Sequence, residues 1–154
     1  MNLNKIEKYW NNFKQLHTTT SDTYEAWPFG DNPELATELA QLVLEGKKTA
    51  TASAYAMYQA ENDQLPEVGQ YNIILDGQDE PVAIVQTTVV DVIPFDQISS
   101  EHAYLEGEGD RSLQYWKDVH EAFFARELLT INQSFSEQML VVCERFKLLY
   151  PFNK

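Results

Sequence analysis

The segment Gly46-Lys47-Lys48-Thr49-Ala50-Thr51 places a lysine three residues before a threonine. Burial favours the neutral amine of a lysine, which can take the proton of a hydroxyl, and a threonine activated in this way attacks an acyl carbon. Lys48 and Thr51 would point to opposite faces of an ideal strand, so they meet only if the backbone turns or bulges just after Gly46. The alternative is a lysine pair that ends a helix, followed by an ordinary Thr-rich strand.

A second candidate is the acidic segment Glu106-Gly107-Glu108-Gly109-Asp110-Arg111. Its three carboxylates alternate along the chain and could hold a divalent cation, or one of them could act as a general base if its pKa is raised. The glycines allow the backbone to approach a ligand closely. The alternative is a solvated acidic turn in front of a helix.

Three further side chains lie on apolar patterns. Glu144 is the one charged residue on the strand face that it shares with Val142 and Phe146, and a buried carboxylate needs a partner, for which Lys48 is a candidate. The alternative for Glu144 is an edge position that reaches solvent. Trp116 is either a core residue or a base-stacking surface, and His120 on the same helix is expected to be a hydrogen-bonded core histidine.

Composition and charge exclude several classes of protein. The 154 residues include 11 Lys and Arg against 24 Asp and Glu, a net charge of −13 that disfavours long nucleic acids and anionic membranes. The single cysteine, Cys143, excludes an internal disulfide and a zinc finger. No apolar run approaches the ~18 residues that span a bilayer. We therefore expect a cytoplasmic protein without a cofactor, and the sequence does not indicate its oligomeric state.

The elements that must position these residues follow from hydrophobic spacing and turn signals. Apolar stripes predict helices over 2–17, from Pro33 to just before Gly46, over 54–62, within 96–106 and over 112–129. Alternating and β-branched segments predict strands over 47–53, 71–75, 81–93 and 139–149, and Trp27-Pro28-Phe29 is interpreted as a lead into a turn. This order predicts an α+β domain with a small barrel or strongly curved sheet flanked by helices.

The same pieces, in the same order, resemble the ASCH domain family, whose small β-barrels are related to PUA domains. The resemblance covers roughly residues 26–152. It rests on Gly46-x-Lys48-x-x-Thr51, Leu65-Pro66-x-Val68-Gly69, the Glu106–Asp110 segment with Ser112, Leu113, Trp116 and His120, and Val141-Val142-Cys143-Glu144-x-Phe146. The acidic loop is similar to that of a longer bacterial branch. The resemblance predicts an N-terminal helix and connection over 1–25 and an ASCH-like domain over 26–154.

The resemblance implies RNA binding by analogy with PUA domains, removal of the acyl group from N4-acetylcytidine, or ribonuclease activity. In the amidohydrolases the catalytic lysine, threonine and glutamate correspond to Lys48, Thr51 and Glu106. Where the family commonly has an arginine, this chain has Ser53, which weakens the prediction of a phosphate site.

The leading prediction is an amidohydrolase for an acylated cytosine nucleoside or a similar small amide. Thr51 is the nucleophile, Lys48 the proton acceptor and a mobile Glu106 the residue that orients the lysine or passes its proton, while Glu144 is a fixed structural partner. Substrate contacts are expected from Lys47, Ser53, Tyr55, Arg111, Trp116 and Glu144. The alternatives are a module that binds short RNA or a modified nucleotide, and a metal-dependent ribonuclease using Glu106, Glu108 and Asp110.

Overall fold

The computed structural model describes residues 3–151. The predicted helix start at residue 2 and the predicted domain end at residue 154 lie outside this range. In chain order the described elements are α1 (Leu3–Leu16), β1 (Glu25–Pro28), α2 (Pro33–Leu44), β2 (Ala50–Ala54), α3 (Tyr55–Glu61), β3 (Tyr71–Leu75), β4 (Pro81–Pro94), α4 (Ser100–Glu106), α5 (Leu113–Leu129) and β5 (Leu140–Tyr150).

One five-stranded sheet in the order β1-β3-β4-β5-β2 carries the fold. β1 is parallel to β3, and the other neighbours are antiparallel. The long strand β4 shifts register against β5 at Ile84/Val85 and between Thr87 and Val89, and such bulges bend a strand and increase its twist. The sheet curls into a half-barrel, which confirms the predicted α+β fold and places all four predicted strands in one sheet.

The strand β1 was not predicted. It has four residues and ends at Pro28, so the sequence has the features of a turn. It forms because it pairs with β3 at the edge of the sheet, and Trp27 on it donates a hydrogen bond from Nε1 to Asn72 Oδ1 at 3.1 Å.

The connection from α2 to β2 decides where Lys48 lies. Asn32 caps α2, and Gly46 leaves the helix with a φ of 79°. Strand pairing begins only at Ala50, later than the predicted residue 47. Lys48 therefore lies on irregular backbone, where its N–H bonds to Leu42 O at 3.1 Å. The backbone turn that Lys48 and Thr51 need is present.

The helix α1 packs on the sheet. Its buried Ile6, Trp10 and Phe13 form one cluster with Ile73 and Ile84. Ile73 alternates with Asn72 along β3, so α1 covers the sheet face opposite to that of Asn72. The predicted domain boundary at residue 25 stays a prediction. Within residues 3–151, no helix is both long and apolar enough to cross a membrane.

Candidate functional site

The Lys48 side chain is 1% exposed, and its ammonium is enclosed by acceptors. Nζ lies 2.9 Å from Ala50 O, 3.0 Å from Glu108 Oε2 and 3.3 Å from Glu106 Oε1. The Phe29 ring centroid is 5.1 Å from the same atom. An ammonium has three N–H groups, and each has an acceptor here, so the resting Lys48 is a donor that is held by two carboxylates.

Glu106 is the last residue of α4 and is buried. Its Oε2 accepts from Trp116 Nε1 at 2.6 Å and bonds to His102 Nε2 at 2.9 Å, while Oε1 faces Lys48 and lies 3.6 Å from His120 Nε2. Burial acts to raise the pKa of Glu106, but the charges of Lys48 and His120 and the His102 hydrogen bond hold this pKa well below its usual range. The expectation of a mobile Glu106 is therefore wrong.

The acidic loop is docked against the lysine segment. Gly107 ends α4 with a φ of 77°, and a Cβ there would collide with Lys47 O, so only glycine allows this approach. Arg111 fastens the loop by donating from Nε to Tyr104 O at 2.9 Å and from Nη2 to Lys47 O at 3.3 Å. Its guanidinium also lies 3.6 Å from the Tyr104 ring centroid. These bonds give Arg111 a structural role in place of the predicted substrate contact.

The predicted metal set does not assemble. The exposed Asp110 accepts from the backbone N–H of Ser112 at 2.9 Å in front of α5. Ligand atoms of Glu106, Glu108 and His120 do lie within 4.8 Å of one another. However, Lys48 Nζ already binds both carboxylates, so a divalent cation would have to displace it. These residues fit an ammonium better than a metal.

Thr51 lies where two cavities meet. A chamber of about 90 Å³ contains Lys48, Glu106, Glu108 and His120, and a larger cavity of about 310 Å³ extends between β1 and β2. Thr51, Phe29 and Phe123 line both. The structure thus places Lys48, Thr51 and Glu106 around one chamber, and Thr51 also lines the larger cavity.

Glu144 lies on the wall of the larger cavity, directly opposite Thr51 in the β2–β5 ladder. It is 6% exposed, and Thr87 Oγ1 donates to its Oε1 at 3.4 Å. Burial raises the pKa of Glu144 to about 7 and outweighs the hydrogen bond from Thr87, which acts to lower it. The predicted pairing of Glu144 with Lys48 is wrong, because Lys48 precedes the strand and its side chain bonds to the end of α4 and the acidic loop.

The remaining predicted contacts divide into three groups. Ser53 lines the larger cavity and its Oγ lies 2.8 Å from Tyr58 Oη, so Tyr58 joins the site. The Lys47 side chain is 57% exposed and pairs with Glu45 at 3.4 Å, while Tyr55 lines neither cavity. Trp116 is 3% exposed and stacks on His120 at 4.1 Å, so its interpretation as a core residue is correct and the alternative, that it stacks on a base, is wrong.

Sequence reasoning missed several site residues. His102 carried a signal, since it lies four residues before Glu106 on α4 and i, i+4 residues are neighbours on a helix. Asn72 and Thr87 carried none, because their roles depend on strand pairing. His120 is buried as predicted, but its Nε2 faces Glu106. Burial acts to lower the pKa of His120, yet the Glu106 carboxylate outweighs this effect and raises it.

The sequence and fold of this chain are similar to those of known proteins. The model of the family described as ASCH domain matches residues 25–150. Protein EF3133 from Enterococcus faecalis V583 is 40% identical, with a TM-score of 0.89 over 96% of this chain and 89% of its own. An ASCH domain from Lactobacillus crispatus JV V101 is 30% identical, with a TM-score of 0.80 over 94% and 91%. Among curated proteins no match is found. The chain belongs to the ASCH domain family.

Proposed function

We propose that the protein is an amidohydrolase that removes the acyl group from an acylated cytosine nucleoside or a similar small amide. One observation carries the proposal: Thr51 lies between a cavity of about 310 Å³ and the chamber that holds Lys48 with Glu106 and Glu108. A nucleophile, a lysine and fixed carboxylates thus line one space, as acyl transfer through a covalent intermediate requires.

The hydrogen bonds of Lys48 support the following first step. The ammonium first passes a proton to Glu108, which is 3.0 Å away and whose side chain is 15% exposed. The neutral amine then takes the proton of the Thr51 hydroxyl while the oxygen attacks the acyl carbon. The tetrahedral intermediate collapses as Lys48 returns this proton to the leaving amine, and an acyl ester remains on Thr51.

A water molecule then completes the turnover. Lys48, again neutral, accepts a proton from the water as it attacks the ester, and Thr51 recovers its proton as the acid leaves. Glu106 does not relay protons in this scheme, because its pKa is held well below its usual range. It orients Lys48, and His102 and Trp116 hold Glu106 in turn.

The net charge of −13 supports a neutral nucleoside over a polyanion. The alternative, a module for short RNA, has less support, because Lys47 pairs with Glu45 and Arg111 is bonded within the protein. Binding of short RNA that weakens steeply with salt, without turnover, would favour that alternative.

The decisive experiment incubates the purified protein with N4-acetylcytidine and follows acetate release. Thr51→Val removes the hydroxyl while keeping the shape of the side chain, and Thr51→Ser keeps the hydroxyl. We expect turnover by the parent protein, no turnover by Thr51→Val and partial activity in Thr51→Ser. Undiminished turnover by Thr51→Val would refute the mechanism.

A further inference from the structure

A chain of hydrogen bonds with a fixed direction ends at Glu144. An indole N–H can only donate, so the bond from Trp27 Nε1 at 3.1 Å makes Asn72 Oδ1 an acceptor. Asn72 Nδ2 is then the donor to Thr87 Oγ1 at 3.0 Å. Thr87 is the donor of the next bond and directs its hydrogen to Glu144 Oε1, 3.4 Å away. With Oε1 as the acceptor of this bond, the proton of a neutral Glu144 carboxyl resides on Oε2.

The second carboxyl oxygen is available to a ligand. Among residues 3–151, no group donates a hydrogen bond to Glu144 Oε2, although the residue is 6% exposed and lines the larger cavity. The part of Glu144 that remains exposed lies on the wall of this cavity, where a bound ligand can supply a partner for Oε2. In its neutral form the carboxyl offers an O–H donor at Oε2 beside a C=O acceptor at Oε1.

We propose that Glu144, as a neutral carboxylic acid, recognises a ligand that carries a ring-nitrogen acceptor next to an N–H donor. The choice of ligand rests on the proposed function. N4-acylated cytosine has this edge, because N3 accepts and N4 keeps one hydrogen after acylation. The Oε2 hydroxyl donates to N3 and the Oε1 carbonyl accepts from N4–H.

The position of Thr51 agrees with this pairing. Residues directly opposite each other in an antiparallel pair have Cβ atoms about 5 Å apart and share one face of the sheet. Thr51 is opposite Glu144, so a ligand whose N4–H is bound by Glu144 has its acyl carbon, bonded to N4, next to the Thr51 hydroxyl. Recognition and attack then concern the same amide group.

Ionisation of Glu144 removes the donor and places a negative charge against the lone pair of N3. Since the pKa of Glu144 is about 7, binding weakens through neutral pH. The other titratable groups that line this cavity among the described residues are Glu25, Tyr58 and Glu127. Glu127 is half-buried on α5, and burial, followed by Asp31 and Glu61, raises its pKa as well, which makes it the matched control.

The test measures N4-acetylcytidine binding by calorimetry at pH 6 and pH 8, in the Thr51→Val background so that the ligand is not consumed. The dissociation constant should rise about tenfold between these values, as expected for loss of one proton from a group with a pKa near 7. Adding Glu144→Gln, whose amide keeps the donor and the acceptor, should abolish this rise while preserving the affinity at pH 6. Adding Glu127→Gln should leave the tenfold rise in place.

Wild-type turnover, measured in parallel, separates this inference from the hydrolase proposal. Two outcomes overturn the role of Glu144 alone while the wild type still hydrolyses the substrate. In the first, binding by Thr51→Val does not depend on pH. In the second, the pH dependence of binding is the same after Glu144→Gln is added. If Glu144→Gln abolishes the pH dependence of binding but the wild type shows no turnover, the inference is supported and the hydrolase proposal is refuted. No binding at pH 6 overturns the inference.

Discussion

Glu106 and Glu144 are two buried carboxyl groups near Thr51, and their environments have opposite effects. Glu106 has an ammonium at 3.3 Å and hydrogen bonds at 2.6 and 2.9 Å. Glu144 has one hydrogen bond, from a threonine at 3.4 Å. The pKa of Glu106 is held well below its usual range, whereas that of Glu144 is raised to about 7. Two buried carboxyl groups thus behave differently: Glu106 is held as an anion, whereas Glu144 changes charge near neutral pH, and their partners cause the difference.

This difference would suit the two cavities that meet at Thr51 to two different tasks in the proposed function. The chamber around Lys48 has fixed charges that are matched by neighbours, as expected of groups that hold a catalytic lysine in place. The wall around Glu144 holds a group that changes charge near neutral pH, as expected of a residue that binds a neutral ligand. Substitutions at the two places should therefore change stability in opposite directions.

The largest effect is expected for Lys48→Met. This change leaves Glu106 and Glu108 without their ammonium, and breaking a buried ion pair from one side costs about 3–5 kcal/mol. Loss of the base should also lower turnover by about 10²–10⁴-fold. Urea denaturation and acetate release measure the two effects. Lys47→Met is the control, because its side chain is 57% exposed and a surface change should stay within about 0.5 kcal/mol. Similar stability losses in the two variants would contradict the role of the buried cluster.

Glu144→Gln is expected to stabilise the protein at pH 8. An unfolded glutamate titrates near 4.3, and Glu144 in the fold near 7, so the folded chain binds more protons between these values. Its stability therefore falls as pH rises through this interval and stays low above it. Glutamine removes this penalty, which is at most about 4 kcal/mol.

Urea denaturation at pH 4 and pH 8 tests this expectation. The gain in free energy of unfolding should appear at pH 8 and vanish at pH 4. Glu127→Gln is the control, because it shows how much the removal of another carboxylate from the same cavity changes the stability. A loss of stability at pH 8 would show that Glu144 has a charged partner, as the sequence suggested.

Much of the contrast between the surroundings of Lys48 and those of Glu144 could be predicted from the sequence. The Gly46-x-Lys48-x-x-Thr51 spacing and the apolar pattern around Glu144 identified both places, and strand and helix patterns predicted the curved sheet. Glu106 was identified as a residue that orients Lys48, but Glu108 as its second partner was not accessible, since this pairing depends on the approach of Gly107 to Lys47, which only the packed backbone reveals. The strand β1 was missed because Pro28 signals a turn, and without β1 the chain from Trp27 through Asn72 to Glu144 cannot be foreseen.

Glu106→Gln is expected to destabilise the protein by about 2 kcal/mol at pH 7, because Lys48 loses a charge partner and a buried hydrogen-bonding group is mispaired. The folded pKa of Glu106 is depressed, so its contribution is present above the unfolded value near 4.3 and is lost as pH falls towards the folded pKa. The free energies of unfolding of wild type and variant, measured by urea denaturation, should thus converge at strongly acidic pH. Unchanged stability at pH 7 would restore a mobile, loop-like Glu106.

The smallest effect concerns the ionisation of His120. Its pKa is raised because the Glu106 carboxylate outweighs burial, so the stability it adds is fully present below the unfolded value near 6.5 and is lost as pH rises through the folded pKa. In Glu106→Gln only burial and weaker contacts remain, and the pKa of His120 should fall. NMR titration of its imidazole protons measures this fall, and Glu144→Gln is the control, because Glu144 does not contribute to the raised pKa of His120. A His120 pKa that moves in Glu144→Gln and not in Glu106→Gln would show that the two carboxyl groups have exchanged the roles assigned to them.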